Sequence, residues 1–305
     1  MISRAFTPLP RQPVIGVPVE FGTNAWRAAN VPRERIGTSF HETFALNIPA
    51  VVSVLRVSDE HDGDVDPDTI RSETNLGPNY VKAMPLYARG CGLLEMGSFQ
   101  LTPFGRLALD KDPNLTRVET LWLMHYHLSA PHGPGPGFWN NLIATTVRIG
   151  QPLRRSEVAT AIGKYTRETA NRSLSIRVLE STATVFLGTY AKSDALGKLG
   201  LVAPTEEAQG SYEVTQPDAP PLWALACALS DYWEALGHGA SELLLKDLGN
   251  QNGFAGLFFM GPGMLGAFLS ELQSAGVVGI KRDAPPFVVT RLWRDGAELR
   301  ERLYG

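Results

Sequence analysis

Three short polar clusters carry the residue types that do acid–base or cation chemistry: His41-Glu42-Thr43, Asp110-Lys111-Asp112 and His125-Tyr126-His127. Imidazole titrates near neutral pH and can pass a proton in a reaction. Carboxylates hold hard cations through oxygen. His41 and Glu42 are neighbours, so one points inward and the other outward. Flanked by Phe40 and Phe44, Glu42 is either buried with a partner or set in a cleft. The pair therefore reads as a functional dyad or as a buried structural hydrogen bond. Asp110 and Asp112 flank a helix end, where the helix dipole disfavours a carboxylate. Either Lys111 or a cation would compensate, or Asp112 simply caps the turn before Pro113. His125 and His127 are two apart on an expected helix and face nearly opposite ways, so they are not a metal pair. His125 shares its face with Leu121, Trp122 and Leu128 and reads as a satisfied core histidine; His127 reads as exposed.

The elements that must position these clusters are clearest over residues 93–128. The runs Leu93-Leu94-Glu95 and Phe99-Gln100-Leu101 flank Met96-Gly97-Ser98, a hairpin with glycine where positive φ is needed. Thr102-Pro103 then starts a helix as N-cap and N1. Asp112-Pro113 ends it, because the residue before proline leaves the α region. Thr116-Arg117-Val118-Glu119 is a capping-box pattern opening the next helix. Upstream, Thr38 or Ser39 would cap a helix running to Asn47. Residues 50–57 form a β-branched apolar run that suits a strand or a buried helix. Asp66-Pro67 caps a helix to about Asn75, and residues 79–90 make a second one, offering Asn79, Lys82 and Arg89. Helix, turn, helix and two-stranded wing is the order of a winged helix.

The plan recurs downstream. Residues 156–165 and 167–190 read as helices, followed by strands bracketing a turn at 205–210. Residues 222–236 form an apolar core helix, 241–248 a helix ending at Gly249, and 264–275 an amphipathic helix before a hairpin at 277–290. The expected class is mainly α with small β-hairpins, built as tandem winged-helix-like units. Breaks at PHGPGPG (131–137) and at Pro217–Pro221 divide the chain into an irregular arm (1–36, with a strand at 14–19) and segments 37–130, 131–216 and 217–305.

Composition narrows the class. The chain has 305 residues and a formal net charge of −3, which argues against tight autonomous DNA binding but leaves room for a local basic face. Only Cys91 and Cys227 are present, far apart, which suits core filler in a reduced, cytoplasmic protein. No signal peptide or membrane span is expected. There is no zinc cluster, P-loop or nucleophile elbow. The Asp/Gly-rich run at 58–66 lacks the closing acid of a calcium loop and reads as a solvated turn.

The runs FHETF (40–44), LTPFGRLALDKDPNL (101–115), TLWLMHYHL (120–128) with Phe138-Trp139, and LWALACALSDYW (222–233) together resemble the SspB-like family of bacterial DNA phosphorothioation and defence loci. The resemblance covers about residues 40–293. It departs from the family pattern at Ser39-Phe40 and before about Gly37. It implies a magnesium-dependent DNA-nicking component of a modification system, opening a strand so that sulfur can replace a non-bridging phosphate oxygen. Its implied partners are DNA and the cysteine desulfurase, ATPase and sulfur-transfer components of that system. In that setting Glu42 and Asp112, with Asp110, would hold Mg²⁺, and His41 or His125 would act as general base. Lys82, Arg89 and Arg106 would contact phosphates. The competing reading is a non-catalytic adaptor that binds DNA or docks proteins; a transcriptional regulator would need a stronger basic signal. Oligomeric state stays open, homo-oligomers included.

Overall fold

The computed structural model describes residues 36–205, 210–237 and 239–305. The strand expected at 14–19, the N-terminal arm and most of the turn at 205–210 lie outside them.

The 38–43 stretch forms turns, not the expected helix. Glu42 and Thr43 take left-handed φ of 46° and 73°, and the Phe44 N–H donates to the His41 carbonyl at 2.7 Å. Helix begins only at α1 (Ile48–Glu60), where the Asn47 side chain accepts from the Ala50 N–H. The ambiguous run is thus helical: Val51, Val54, Leu55 and Ser58 are buried at helical spacing. Asp66 caps α2 (Pro67–Glu73), and α3 (Pro78–Gly90) follows. The expected hairpin is reduced to one bridge between Leu94 and Leu101, with Gly97 at φ +81° in its turn.

Thr102 caps α4 (Pro103–Lys111) as its type and the following proline dictate. The next helix, α5 (Val118–Ser129), does not use its Thr116 capping box. Instead Asp112 accepts from the backbone N–H groups of Thr116 at 3.0 Å and Arg117 at 2.9 Å. After α6 (Gly137–Thr145) come β1 (Pro152–Arg154), α7 (Arg155–Ala170), α8 (Ile176–Ala191), β2 (Val202–Pro204) and β3 (Ser211–Val214). The helix expected over 167–190 is broken: Asn171 takes the left-handed conformation and ends α7, as asparagine does readily at that position.

The remainder is α9 (Leu222–Gly237), β4 (Glu242–Leu244), α10 (Leu245–Gly249), α11 (Phe254–Leu257), α12 (Pro262–Ser274), β5 (Val278–Lys281), β6 (Val288–Arg291) and α13 (Gly296–Arg300). The helix expected at 241–248 begins instead as β4, because Glu242–Leu244 finds β6 as an antiparallel partner. Both sheets are antiparallel, with strand orders β1-β3-β2 and β4-β6-β5. The fold is mainly helical with two small three-stranded sheets.

One connected core runs from Ile36 to Leu303 and includes buried Trp122, Trp139 and Trp233. Each such side chain stabilises by about 1.5–3 kcal/mol relative to leaving it exposed. Segments 37–130, 131–216 and 217–305 all contribute, so those boundaries stand as a proposed subdivision of one core. Among the described residues, no single helix is long and apolar enough to cross a membrane.

Candidate functional site

The apolar positions of α5 carry it through the core and leave His127 near its C-terminal end, with 15% of the side chain exposed. The imidazole faces Phe104 of α4, with ring centroids 5.6 Å apart. Behind it lies Gly92, at φ +74°, where an added Cβ would come within 2.5 Å of the His127 ring. Only glycine combines that backbone with that approach. The 131–137 break folds back over the helix end, as the Gly135 N–H donates to the His127 carbonyl at 3.3 Å and the Gly133 N–H to the Ala130 carbonyl at 3.0 Å. Helix α9 packs against α5 and brings Asp231; α13 packs against α9 and brings Arg300. Arg300 Nη1 donates to Asp231 Oδ1 at 3.4 Å, and His127 Nε2 stands 3.7 Å from Asp231 Oδ2, beyond direct hydrogen bonding.

These residues open onto a groove of about 1030 Å³ that is also lined by Glu95, Thr102, His132, Tyr165 and Thr169. Burial holds the His127 pKa below its ordinary value; Asp231 pulls the other way and Arg300 adds to the lowering. Burial raises the Asp231 carboxyl, against the pull of His127 and Arg300. Burial likewise lowers His132. An imidazole with a lowered pKa beside an Asp–Arg pair is an arrangement that can pass a proton. A second cleft of about 800 Å³, around Leu265, Pro286 and Phe287, is mostly apolar, and no described histidine or carboxylate lines it.

The residues named from the sequence fall elsewhere. His41 is buried: its Nδ1 accepts from the Thr43 N–H at 3.0 Å, so Nε2 carries the proton and donates to Thr182 Oγ1 at 3.1 Å. His125 is fully buried, donating from Nε2 to the Leu257 carbonyl at 2.8 Å and accepting at Nδ1 from the Tyr190 hydroxyl at 2.9 Å. Trp139 Nε1 donates to the same Tyr190 oxygen at 2.9 Å. Burial lowers both imidazoles to about 4. Both histidines are structural, with no free nitrogen to act as a base. His127, expected to be exposed, is instead the one that faces a groove.

Glu42 is half-buried on its left-handed turn, and Asp110 is exposed beside Lys111 at 2.9 Å. Asp112 is 4% exposed with both oxygens committed: Oδ1 to the Thr116 N–H, and Oδ2 to the Arg117 N–H and the Thr120 hydroxyl at 2.7 Å. Among the described residues no three His, Cys, Asp or Glu side chains converge on a metal-sized site. A Mg²⁺ site on Glu42, Asp110 and Asp112 therefore does not fit these residues. Arg89 is also committed, donating to the Ser98 carbonyl at 2.8 Å from Nη2 and lying over the Phe99 ring. Arg106 pairs with Asp59 at 3.2 Å, and Lys82 is exposed. The sequence reading missed Asp231 and Arg300, far from His127 along the chain. One signal was there: Asp231 is the lone carboxylate inside the apolar run 222–233.

A family model matches residues 39–284. The chain belongs to this family, described as a protein of unknown function (DUF4007). No curated protein sequence matches it. Among solved structures it is similar to a magnesium ion-bound SspB crystal structure, with TM-score 0.70, 19% identity, and coverage of 87% of this chain and 86% of that one. A second SspB crystal structure matches with TM-score 0.71 and 17% identity, over the same shares of the two chains. This DUF4007 chain has an SspB-like fold, as its sequence motifs implied.

Proposed function

We propose that this chain is a DNA-acting component of a bacterial phosphorothioate-modification system, and that it nicks a strand in the groove around His127. The observation that carries the reading is the SspB-like fold over 87% of the chain. Topology adds support. The orders β1–α7–α8–β2–β3 and β4–α10–α11–α12–β5–β6 each join helices to a three-stranded antiparallel sheet, which is compatible with the winged-helix-like units proposed from the sequence, a plan that commonly presents a helix to duplex DNA. In this reading His127 takes a proton from the water that attacks phosphorus as the P–O bond to the leaving strand end breaks, Asp231 favours the resulting imidazolium across 3.7 Å, and Arg300 offsets phosphoryl charge. Sulfur-transfer, desulfurase and ATPase components are the proposed partners, in the cytoplasm. Magnesium dependence belongs to the same proposal, although the ligands expected from the sequence do not fit it, and no step is assigned to the ion.

A second reading, the non-catalytic adaptor, is favoured by one observation: His41, Asp112 and His125 spend their side-chain hydrogen bonds inside the protein. Plasmid relaxation separates the two. Purified protein, alone and with its partner proteins, is incubated with supercoiled plasmid with and without Mg²⁺. Nicking that falls by about 10²-fold or more in His127→Gln and Asp231→Asn supports the groove assignment. Wild-type nicking retained in both folded variants removes it. DNA binding without nicking under every condition selects the adaptor.

A further inference from the structure

The corner where α7 meets α8 is rich in exposed cations. Residues 164–177 hold four cations, Lys164, Arg167, Arg172 and Arg177, and one carboxylate, Glu168, in a chain whose formal net charge is −3. All four cations are exposed. Lys164 has Glu168 at 4.0 Å; the three arginines have no ion pair among the described residues. Several arginines elsewhere are tied down, as in Arg106 with Asp59 and Arg117 with Glu119.

The backbone holds these cations together. Left-handed Asn171 ends α7, the Arg172 N–H donates back to the Thr166 carbonyl at 3.2 Å, and α8 starts four residues later with Ser175 as its N-cap. Leu179 of α8 packs at Gly163 of α7, and the Arg167 guanidinium reaches the same spot, so this cation lies on the seam between the helices. The same last turns of α7 supply Tyr165, Thr169 and Ala170 to the wall of the His127 groove. Arg172 lines a smaller cavity with Gly37 and Phe40. Arg167, two residues from both Tyr165 and Thr169, points to the other side of α7, so the cations form a surface apart from the groove's own lining.

We propose that this α7–α8 corner is a phosphate-backbone docking surface for duplex DNA; this rests on the DNA-acting reading above. Three of the four cations are arginine, whose planar fork matches a phosphate in two places at once. A duplex presents one charge per about 1.7 Å of its axis, so closely grouped cations can each find a phosphate. Of the cations expected from sequence, Arg89 and Arg106 already have partners, while exposed Lys82 keeps its proposed phosphate contact.

The test uses the full chain and a fluorescently labelled mixed-sequence duplex, with binding read by anisotropy across a KCl series. The combined variant Arg167→Ala, Arg172→Ala and Arg177→Ala should weaken binding by roughly 10²-fold near 0.1 M salt and flatten the log–log salt slope by about 0.9 for each phosphate that the variant no longer neutralises. Arg106→Ala should leave the slope unchanged, because Arg106 already pairs with Asp59. Circular dichroism and melting confirm that each variant is folded. A wild-type slope in the folded triple variant overturns the corner assignment and leaves the DNA-acting reading standing. Wild-type protein that binds no duplex, alone or with partners, overturns both. Failure to bind duplex, together with corner-dependent binding of a poly-glutamate peptide, overturns the proposal in favour of an acidic protein surface.

Discussion

Asp112 separates a structural role from a catalytic one most sharply. Its carboxylate is 4% exposed and accepts from the Thr116 N–H, the Arg117 N–H and the Thr120 hydroxyl at 3.0, 2.9 and 2.7 Å. Asp112→Ala strands the two backbone donors at the start of α5. Thr120 keeps a partner, because its hydroxyl also meets the Tyr304 hydroxyl at 2.8 Å. Hydrogen bonds to a charged group contribute about 1.5–3 kcal/mol each, so two stranded donors cost about 3–6 kcal/mol. Water reaching the helix end would reduce this to the roughly 1–2 kcal/mol of a lost cap. Asp112→Asn keeps one acceptor oxygen but turns an amide towards a donor, and should cost about 2 kcal/mol. Urea unfolding followed by far-ultraviolet circular dichroism reads the cost as a lower midpoint at unchanged slope. A loss of about 3 kcal/mol moves the midpoint by about 1 M when the slope is about 3 kcal/mol per molar. An unchanged midpoint in Asp112→Ala would refute the cap. If such a variant had also lost Mg²⁺-dependent nicking, Asp112 would be a ligand after all.

Acidification should destabilise the protein in a defined window. His41 and His125 are lowered to about 4 by burial, whereas in the unfolded chain they titrate near the ordinary 6.5. Between those values the unfolded state binds more protons. Stability is therefore complete above about pH 6.5 and falls as pH drops towards 4, by about 3 kcal/mol per histidine at the bottom of the window. Melting curves from about pH 7.5 to about pH 4.5 should slope accordingly and flatten in His125→Gln; a flat wild-type profile would contradict the assigned neutral histidines. Gly92→Ala should cost about 1–3 kcal/mol in urea unfolding and reduce nicking, because its Cβ meets the His127 ring in a backbone region that alanine avoids. Wild-type stability and activity in this variant would mean that His127 is not held there. Cys227, pushed up to about 12, and Cys91, raised further by burial, should resist a thiol reagent in native protein and both react in urea. Rapid native labelling of either would contradict their burial.

Local chemistry was legible because its cause is local. Thr102 with Pro103 starts α4, Asp66 with Pro67 starts α2, and Gly97 takes the positive φ its turn needs. The ordered motifs also announced the SspB-like fold. Reading failed in two ways. Residues 241–248 surrender a helix to pair with distant β6. The other two misses were local: the Thr116 box yields to Asp112 four residues earlier, and left-handed Asn171 splits what looked like one long helix. The three polar clusters failed because their partners could not be read off. A sequence shows that His41, Asp112 and His125 are polar, but not that Thr182, Thr120 and Leu257 wait beside them to satisfy their hydrogen bonds.

Residue type and spacing alone therefore determined the helical class, the starts of helices such as α2, α4 and α9, and the non-equivalence of His125 and His127. Helical periodicity turns residues two apart in nearly opposite directions whatever surrounds them. Only the tertiary structure decided which histidine faces a groove. Asp231 and Arg300 reach His127 from α9 and α13 because apolar faces more than a hundred residues apart pack into one core. Burial is a property of that assembly, and it is what separates a satisfied core histidine from one that can meet a substrate.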